Sequence, residues 1–316
     1  MTGTGADELA CSRRWDDAGI PAWGTASRAD IVVALEQNGP WGRVAATQSR
    51  LDQVLGASLD AHVNGLDGRL LLIRRPGRHA DADNPAAPSP SSDADDTPKA
   101  PARRRCFIAR TGPHGWLVHA DLTDPAQLLD LTDLTLRHAS STADKVGGTV
   151  DSRPVLLVCT NGRRDVCCAT RGRTVANALI QEHDDLVWET SHTGGHRFAP
   201  TAVLLPWGRM LARLTPSLAA ATLEEARQGT LAPGVLGPVH DRGSMHLAPA
   251  AQAAEAWLRL HEQRVLLADP VSDASERVSV EVERGPALSE SCGKAAVDST
   301  IFVPRLTETS FEDLHA

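Results

Sequence analysis

The segment PVLLVCTNGRRDVCCATRGR (residues 154–173) contains the features that decide the fold. Its first six residues are apolar without interruption up to Cys159, a pattern typical of a strand that is covered on both faces. A polar loop follows, and residues 172–181 have the composition of a helix. Cys159 is thus predicted to end a strand, and Cys167 or Cys168 to begin a helix. A helix N-terminus lowers the pKa of a thiol and favours an anionic ligand.

A second polar loop lies in WETSHTGGHRFAP (residues 188–200) and contains His192 and His196. The two histidines do not form the helical motif of zinc proteases, because no Glu follows the first His and two adjacent glycines oppose a helix. The glycines instead allow backbone N–H groups to approach a bound anion or sulfide closely. Two thiols and two imidazoles in two close pairs predict a metal or iron–sulfur site.

Three kinds of site are compatible with these residues. A structural zinc site uses two Cys and two His, although the spacing of the two cysteines is longer than usual. A thiol redox centre would use Cys159 or the adjacent Cys167 and Cys168, but a disulfide between adjacent residues strains the peptide. A 2Fe–2S cluster held by two Cys and two His would use all four groups. The residues alone leave zinc and iron–sulfur open, beside the simpler interpretation of two polar loops without a metal.

Composition narrows the class of protein. The chain has 316 residues, a net charge of −8 and a hydrophobic fraction of 41%, so it is long enough for one large or two ordinary domains and has no broad basic surface for nucleic acid. The N-terminal residues do not form a signal peptide, and no apolar run approaches the ~20 residues that span a bilayer. A soluble cytoplasmic protein is therefore predicted.

Cys11, Cys106 and Cys292 stand alone in the sequence and are interpreted as buried hydrophobes or surface thiols.

The N-terminal half is predicted to alternate helices and strands. Residues 79–104 are rich in Ala, Pro, Asp and Ser, and are predicted to be a disordered insertion within a domain. The pattern predicts helices at residues 28–36, 51–59 and 126–136, and strands at 70–75, 105–110 and 116–119.

The C-terminal half has a similar alternation. The pattern predicts strands at residues 154–159 and 186–189, a hairpin at 201–205 and 210–214, and helices at 172–181, 217–227 and 249–263. LLIRRPGRH (residues 71–79) is similar to LLVCTNGRR (residues 156–164), which indicates an internal repeat of two related α/β domains.

Three stretches of this sequence resemble the sucrase/ferredoxin-like family, a group of thioredoxin-like ferredoxins. They are GPWGR (residues 39–43) with Glu36 upstream, CTNGRRDVCCATRGR (residues 159–173) and WETSHTGGHRFAPTAVLLPWG (residues 188–208). The resemblance implies an α/β protein with two thioredoxin-like domains, of which the second is a thioredoxin-like ferredoxin domain. The implied division is 1–150 for a degenerate first domain without ligands, 151–230 for the ferredoxin domain and 231–316 for a helical extension and tail.

In that family a 2Fe–2S cluster is held by two Cys and two His. The resemblance places these ligands at Cys159, Cys168, His192 and His196, with Cys168 preferred to Cys167 because the second family cysteine follows an Asp by three residues, here Asp165. The resemblance thus implies electron transfer with an unidentified redox partner protein. A zinc-stabilised Cys2His2 interaction module without redox activity is the alternative, and a thiol-disulfide oxidoreductase is third. Sucrase activity is not supported, because no paired carboxylates beside aromatic platforms are evident.

The charges of the implied ligands predict the reduction potential of the cluster and its coupling to proton uptake. Two ferric ions, two sulfides and two thiolates have no net charge when both imidazoles are neutral, so the reduction potential is expected to exceed that of plant-type ferredoxins, near −400 mV. Reduction adds negative charge beside the imidazoles and raises their pKa, so electron uptake can be coupled to proton uptake at His192 or His196. Arg163, Arg164 and Arg197 are candidates for stabilising the reduced form or for docking an acidic donor.

Overall fold

The computed structural model of the chain describes residues 10–77, 103–183 and 185–307. Nearly all of the predicted insertion at 79–104 lies outside these residues. The described strands are β1 Ile31–Glu36, β2 Gly68–Arg74, β3 Arg104–Arg110, β4 Trp116–Leu122, β5 Thr149–Asp151, β6 Val155–Cys159, β7 Val187–Thr190, β8 Ala202–Leu205, β9 Arg209–Leu211, β10 Asp241–Ser244, β11 Val278–Ser289 and β12 Ala296–Leu306. The described α-helices are α1 Cys11–Asp17, α2 Ala45–Gln48, α3 Gln53–Gly65, α4 Ala139–Val146, α5 Arg173–His183, α6 Pro216–Arg227, α7 Pro249–Glu262 and α8 Ala274–Arg277.

Strands β1 to β10 form one mixed sheet in the order β10-β9-β8-β6-β7-β2-β1-β3-β4-β5. The protein is therefore a mixed α/β protein. Side-chain hydrogen bonds cap the starts of α3 and α6. The Asp52 carboxylate accepts a hydrogen bond of 2.8 Å from the backbone N–H of Leu55 at the start of α3. At the start of α6, Thr215 accepts the N–H of Leu218, and Pro216 occupies the first turn. None of the helices described is both long and apolar enough to cross a membrane.

The two halves of this sheet have the same internal arrangement. In the first half β1 is parallel to β2 and antiparallel to β3, which pairs antiparallel with β4, and β4 with β5. In the second half β6 is parallel to β7 and antiparallel to β8, which pairs with β9, and β9 with β10. The internal repeat is therefore present in the topology, but the segments matched from the sequence were the wrong ones. β6 corresponds to β1, so LVCTNG (residues 157–162) is equivalent to ALEQNG (residues 34–39), and not to the β2 segment.

The halves join through β2 and β7, which pair antiparallel at Ile73↔Thr190 and Arg74↔Glu189. Ile73 pairs with the last residue of β1, and Thr190 pairs with the last residue of β6. The two residues are thus equivalent by topology, and they also pair with each other. The backbone N–H of Ser191 donates to the Leu72 carbonyl at 2.8 Å, which extends the pairing symmetrically. A local twofold relation therefore passes through this junction.

Most of the elements predicted from the sequence are confirmed, and two helices are wrong. Residues 31–36 of the predicted helix at 28–36 form β1 instead, because this strand lies inside the sheet and Ile31 to Leu35 are all buried on both faces. Residues 125–130 and 135–137 form two 3-10 turns in place of the predicted helix at 126–136. The intervening Leu131 is extended and buried against the first half's core, which interrupts a continuous helix.

The C-terminal part contains a long hairpin that the predicted helical extension did not include. Strands β11 and β12 pair with each other in a separate two-stranded sheet. The ribbon packs against α7 through an apolar cluster that includes Trp257 and Val280. It also contacts the N-terminal segment, because Trp15 Nε1 donates to the Ser289 carbonyl at 3.0 Å and Trp23 Nε1 donates to the Phe302 carbonyl at 2.9 Å. The hairpin thereby ties the two ends of the described chain together.

Candidate metal centre

Cys159, Cys168 and His192 meet at the carboxyl ends of the central strands β6 and β7. One ligand atom from each lies within 4.8 Å of the others. Cys159 ends β6, and His192 follows the parallel neighbour β7, so both lie at the carboxyl ends of these strands. Cys168 begins a π-helical turn, Cys168–Gly172, that leads into α5. Both thiols are buried and His192 is partly buried. Three of the four predicted ligands are thus brought together.

His196 lies beside this group. Its ring centroid is 5.1 Å from that of His192, and its Nε2 atom is 3.7 Å from Oδ2 of the buried Asp165. In the described part of the chain, neither ring nitrogen of His196 nor Nδ1 of His192 has a hydrogen-bond partner, although all three atoms are buried. Buried polar atoms are ordinarily paired. Unpaired imidazole nitrogens beside two buried thiols have the donor chemistry of a metal or cluster site.

Two arginines, Arg242 buried and Arg69 partly buried, hold the loop that contains His192 and His196 in place. Arg69 donates from its two terminal nitrogens to the carbonyls of Thr193 at 3.1 Å and His192 at 3.2 Å. Arg242 donates to the Gly194 carbonyl at 3.0 Å. Gly194 and Gly195 both have positive φ, and a Cβ at Gly195 would overlap the Arg242 guanidinium. In the structure Gly195 permits close approach of the loop to the Arg242 cation. The predicted approach of the loop to an anion or sulfide stays a prediction.

The electrostatics favour a thiolate in this group. Hydrogen bonds from Cys168 and His192 hold the pKa of the Cys159 thiol well below its usual value, against the opposing effect of burial. The same contact with Cys159, together with burial, raises the pKa of Cys168. Burial lowers the pKa of His196, which keeps its ring neutral and able to donate a lone pair. Burial also lowers the pKa of Arg242 to about 9, although the nearby Cys159 and Cys168 partly oppose this change.

The loop between Cys159 and Cys168 (residues 160–167), called the ligand loop below, packs closely against neighbouring residues. A Cβ at Gly172 would overlap the carbonyl oxygen of Cys159, so only glycine allows the π-helical turn to lie against the end of β6. The Thr160 hydroxyl donates to Glu189 Oε2 at 2.8 Å. Asn161 Nδ2 donates to the Gly42 carbonyl at 3.1 Å. The loop is thus fixed by both halves of the molecule.

The GPWGR segment of the first half contributes to this packing. Trp41 is buried, its Nε1 donates to the Gln37 carbonyl at 2.7 Å, and the Arg74 guanidinium lies 4.5 Å above its ring. Arg74 also donates to the Gly39 carbonyl at 3.2 Å. The segment therefore supports the ligand loop from the equivalent position in the other half, and contributes no ligand itself.

Cys167 takes part in a different group, which the sequence analysis missed. Its sulfur lies 3.5 Å from that of Cys11 and 3.4 Å from that of Cys292. Asp165 completes this group, whose ligand atoms all lie within 4.8 Å of one another. The sequence predicts that Cys11 and Cys292 stand alone, since nothing in it indicates that residues 281 positions apart are in contact. Cys106, the other such cysteine, is buried in β3.

The arginines proposed to interact with a charged partner differ in their environments. Arg163 is exposed on the ligand loop and Arg164 is partly buried. Arg197 pairs with Glu290 at 3.2 Å and lies 4.9 Å above the Trp15 ring. Arg197 therefore joins the ligand region to the hairpin, whereas Arg163 faces solvent.

Comparison with known proteins assigns the family. The model of the sucrase/ferredoxin-like family matches residues 23–236, which is more than half of the chain. The chain belongs to the sucrase/ferredoxin-like family. Searches of curated proteins and of solved structures find no match. The matched region includes Cys159, Cys168, His192 and His196, whereas Cys11 and Cys292 lie outside it.

Proposed function

We propose that this protein transfers electrons through a 2Fe–2S cluster held by Cys159, Cys168, His192 and His196. The observation that carries this proposal is the convergence of two buried thiols with buried imidazole nitrogens that have no hydrogen-bond partner among the described residues. When bound, such a cluster supplies one-electron chemistry at a potential set by its ligands, its hydrogen bonds and its burial.

The residues present fit this group. Cys159, Cys168 and His192 each have a ligand atom within 4.8 Å of the others, and the ring of His196 lies 5.1 Å from that of His192. Two thiols and two neighbouring imidazoles are the donor set of a two-Cys, two-His cluster. Arg69 and Arg242 place positive charge near the thiols. Burial lowers the pKa of both arginines, and the negative charge of Cys159 acts in the opposite direction and raises it. Cations beside the thiols stabilise added negative charge, so the positions of the two arginines favour a redox centre over a structural zinc site.

The topology supports a thioredoxin-like ferredoxin for the second half. In each half a parallel strand pair is extended by two antiparallel strands, which gives the strand orders β4-β3-β1-β2 and β9-β8-β6-β7. We infer that the first half is a thioredoxin-like domain that has lost its ligands, with Glu36 at the position of Cys159. The boundaries proposed for the domains are 1–150, 151–230 and 231–316, and the last segment adds β10 to the sheet of the second half through its pairing with β9.

The donor or acceptor in this proposal is a redox partner protein. Arg163 is exposed on the ligand loop between Cys159 and Cys168, and a cation there suits an acidic partner surface. The rate of electron transfer with such a partner is expected to fall as ionic strength rises, and Arg163→Gln is expected to weaken that salt dependence.

The test is the composition and spectrum of the protein purified without oxygen from iron-replete cells. We expect about two Fe and two acid-labile sulfides per chain and a brown, reducible chromophore. Cys159→Ser should lose the chromophore, and Cys106→Ala, which removes a buried thiol from the first half, should keep it. Colourless wild-type protein whose zinc is lost on Cys159→Ser would overturn the proposal and establish the zinc-stabilised interaction module.

A further inference from the structure

We propose that Cys11, Cys167, Cys292 and Asp165 form a separate structural Zn²⁺ site. These residues come from three distant segments: Cys11 begins α1, Cys167 and Asp165 lie on the ligand loop, and Cys292 lies between β11 and β12. Cys11 and Cys292 lie outside residues 23–236, so the site is built on parts of the chain that the family model does not match.

The spacing of the three sulfurs is that of ligands around one metal ion. The distances are 3.5 Å for Cys11–Cys167, 3.4 Å for Cys167–Cys292 and 3.6 Å for Cys292–Cys11. Tetrahedral zinc with Zn–S bonds of ~2.3 Å places its sulfurs about 3.8 Å apart. The three thiols therefore need to move only a few tenths of an ångström to bind one ion.

Asp165 is placed to supply the fourth ligand. Its Oδ1 atom lies 3.4 Å from the Cys292 sulfur and 3.9 Å from the Cys11 sulfur. The carboxylate is oriented by the backbone N–H groups of Cys167 and Cys292, both at 2.9 Å, and by the Ser291 hydroxyl at 3.0 Å. Ligating carboxylates are commonly held by such outer hydrogen bonds. Three thiolates and a carboxylate favour a soft, tetrahedral ion such as Zn²⁺ over Mg²⁺ or Ca²⁺.

The surroundings suit a charged site with a route for the ion. Three thiolates and one carboxylate leave excess negative charge after Zn²⁺ binds. A cavity beside the site is lined by Cys11, Cys292, Arg14 and Lys294, so cations and an opening lie on the same side. Cys11, Cys167 and Asp165 are buried and Cys292 is partly buried. The ion would join the N-terminal helix and the C-terminal hairpin to the ligand loop.

Adjacent cysteines thereby serve two different groups. Cys168 belongs with Cys159 and His192, and Cys167 belongs with Cys11 and Cys292. Asp165 lies between the groups, since its Oδ2 atom is 3.7 Å from His196 Nε2. The zinc site is independent of the proposed 2Fe–2S cluster, because it uses none of the four cluster ligands.

The experiment measures zinc and iron together in the full chain, purified under reducing conditions from cells supplied with both metals. We expect about one Zn per chain in the wild type, a loss of at least tenfold in Cys292→Ser and in Cys11→Ser, and unchanged zinc in Cys106→Ala. Cys159→Ser should retain its zinc whatever happens to iron, so failure of the cluster proposal leaves this test intact. Zinc that persists in Cys292→Ser but is lost in Cys159→Ser would overturn the inference, and so would wild-type protein that neither contains zinc nor takes it up from added Zn²⁺.

A second measurement covers variants that fail to fold. In the folded wild type, added Zn²⁺ should protect Cys11, Cys167 and Cys292 from alkylation, and a chelator should restore their reactivity, as read by mass spectrometry of each peptide. Substitution with Co²⁺ should give intense thiolate charge-transfer absorption. Equal alkylation of the three thiols with and without zinc would contradict the proposal. A disulfide among them in protein isolated from a reducing cytoplasm would also contradict it, because it would identify the group as a thiol switch.

Discussion

Arg74 and Glu189 form a buried ion pair across the junction of the two halves, with Nη2 of the arginine 2.6 Å from Oε2 of the glutamate. Glu189 Oε2 also accepts the Thr160 hydroxyl, so the pair connects the junction to the ligand loop. Removing one member of a buried pair leaves an uncompensated charge in the interior. The two residues therefore support both the union of the halves and the position of the loop after Cys159.

Replacing Arg74 with Met should lower the free energy of unfolding by about 3–5 kcal/mol, because Glu189 remains buried without its partner. Denaturant unfolding measures this change. The matched control is Arg105→Met, which breaks the more exposed pair with Asp121 at 2.7 Å and should cost less than about 1 kcal/mol. Equal losses in the two variants would show that the buried pair has no special role.

Replacing Gly172 with Ala should destabilise the protein and disturb the site, because the added methyl group meets the carbonyl oxygen of Cys159. Overpacking of this kind typically costs about 1–3 kcal/mol. Gly65→Ala is the control, because nothing lies within 4 Å of a Cβ at that position near the end of α3. It should be neutral or slightly stabilising. Unfolding curves and the iron content of both variants test the prediction, which fails if Gly172→Ala behaves like Gly65→Ala.

The adjacent cysteines should differ in the metal that each variant loses. Cys168→Ser is expected to lose iron and keep zinc, because Cys168 groups with Cys159 and His192. Cys167→Ser is expected to keep iron and lose zinc. Both metals are measured on the same preparations, with Cys106→Ala as the control that retains both. Loss of iron from Cys167→Ser with retention in Cys168→Ser would mean that the ligand assignment is wrong by one residue.

The midpoint potential of the loaded protein should fall as pH rises. An imidazole that binds the cluster through one nitrogen keeps an N–H on the other, and the negative charge added by reduction raises the pKa of that N–H. Electron uptake is therefore accompanied by proton uptake wherever the oxidised form has lost this proton. The slope should approach ~59 mV per pH unit for one proton per electron, and should appear only above the imidazole pKa of the oxidised form. Redox titration between about pH 6 and 10 measures it.

One variant tests the role of the histidine ligands in this pH dependence, and a second variant is the control. His192→Cys should lower the potential and weaken its pH dependence, because a thiolate ligand adds negative charge and has no N–H proton to exchange. His119→Gln, which alters a partly buried histidine paired with Asp151 in the first half, should change neither. A potential that does not vary over this pH range in the unaltered protein would exclude proton coupling at the two histidines and leave simple electron transfer.

The strands around the ligand loops could be predicted because their signals are local. Residues 154–159 are apolar without interruption, and the His192 and His196 pair is recognisable from its spacing. The sequence predicts a helix for the same kind of apolar run at 31–35, although β1 lies at the equivalent place in the first half. Short apolar runs do not distinguish a buried strand from a buried helix, and only the pairing with β2 and β3 decides between them.

The cluster of Cys11, Asp165, Cys167 and Cys292 could not be predicted from the sequence, and the reason is different. Cys11 and Cys292 have no neighbouring ligand in the sequence, and their contact depends on the course of the long hairpin β11–β12. Sequence spacing identifies sites whose ligands lie on one or two loops. Sites assembled from both ends of a chain depend on tertiary structure and are visible only in three dimensions.

The junction between β2 and β7 has a consequence for solubility. Each of these strands would be an open edge if its half existed alone, and open edges present unpaired N–H and C=O groups to other chains. β2 and β7 are equivalent strands of the two halves, and they pair with each other within one chain. This is the arrangement of an isologous homodimer, in which the same strand edge of each subunit pairs with its copy in the other. The outer edges of the large sheet are the short strands β5 and β10, which offer little template for further pairing. Separating the halves would uncover both central edges at once, so the duplicated architecture protects this protein against edge-to-edge aggregation only while it remains a single chain.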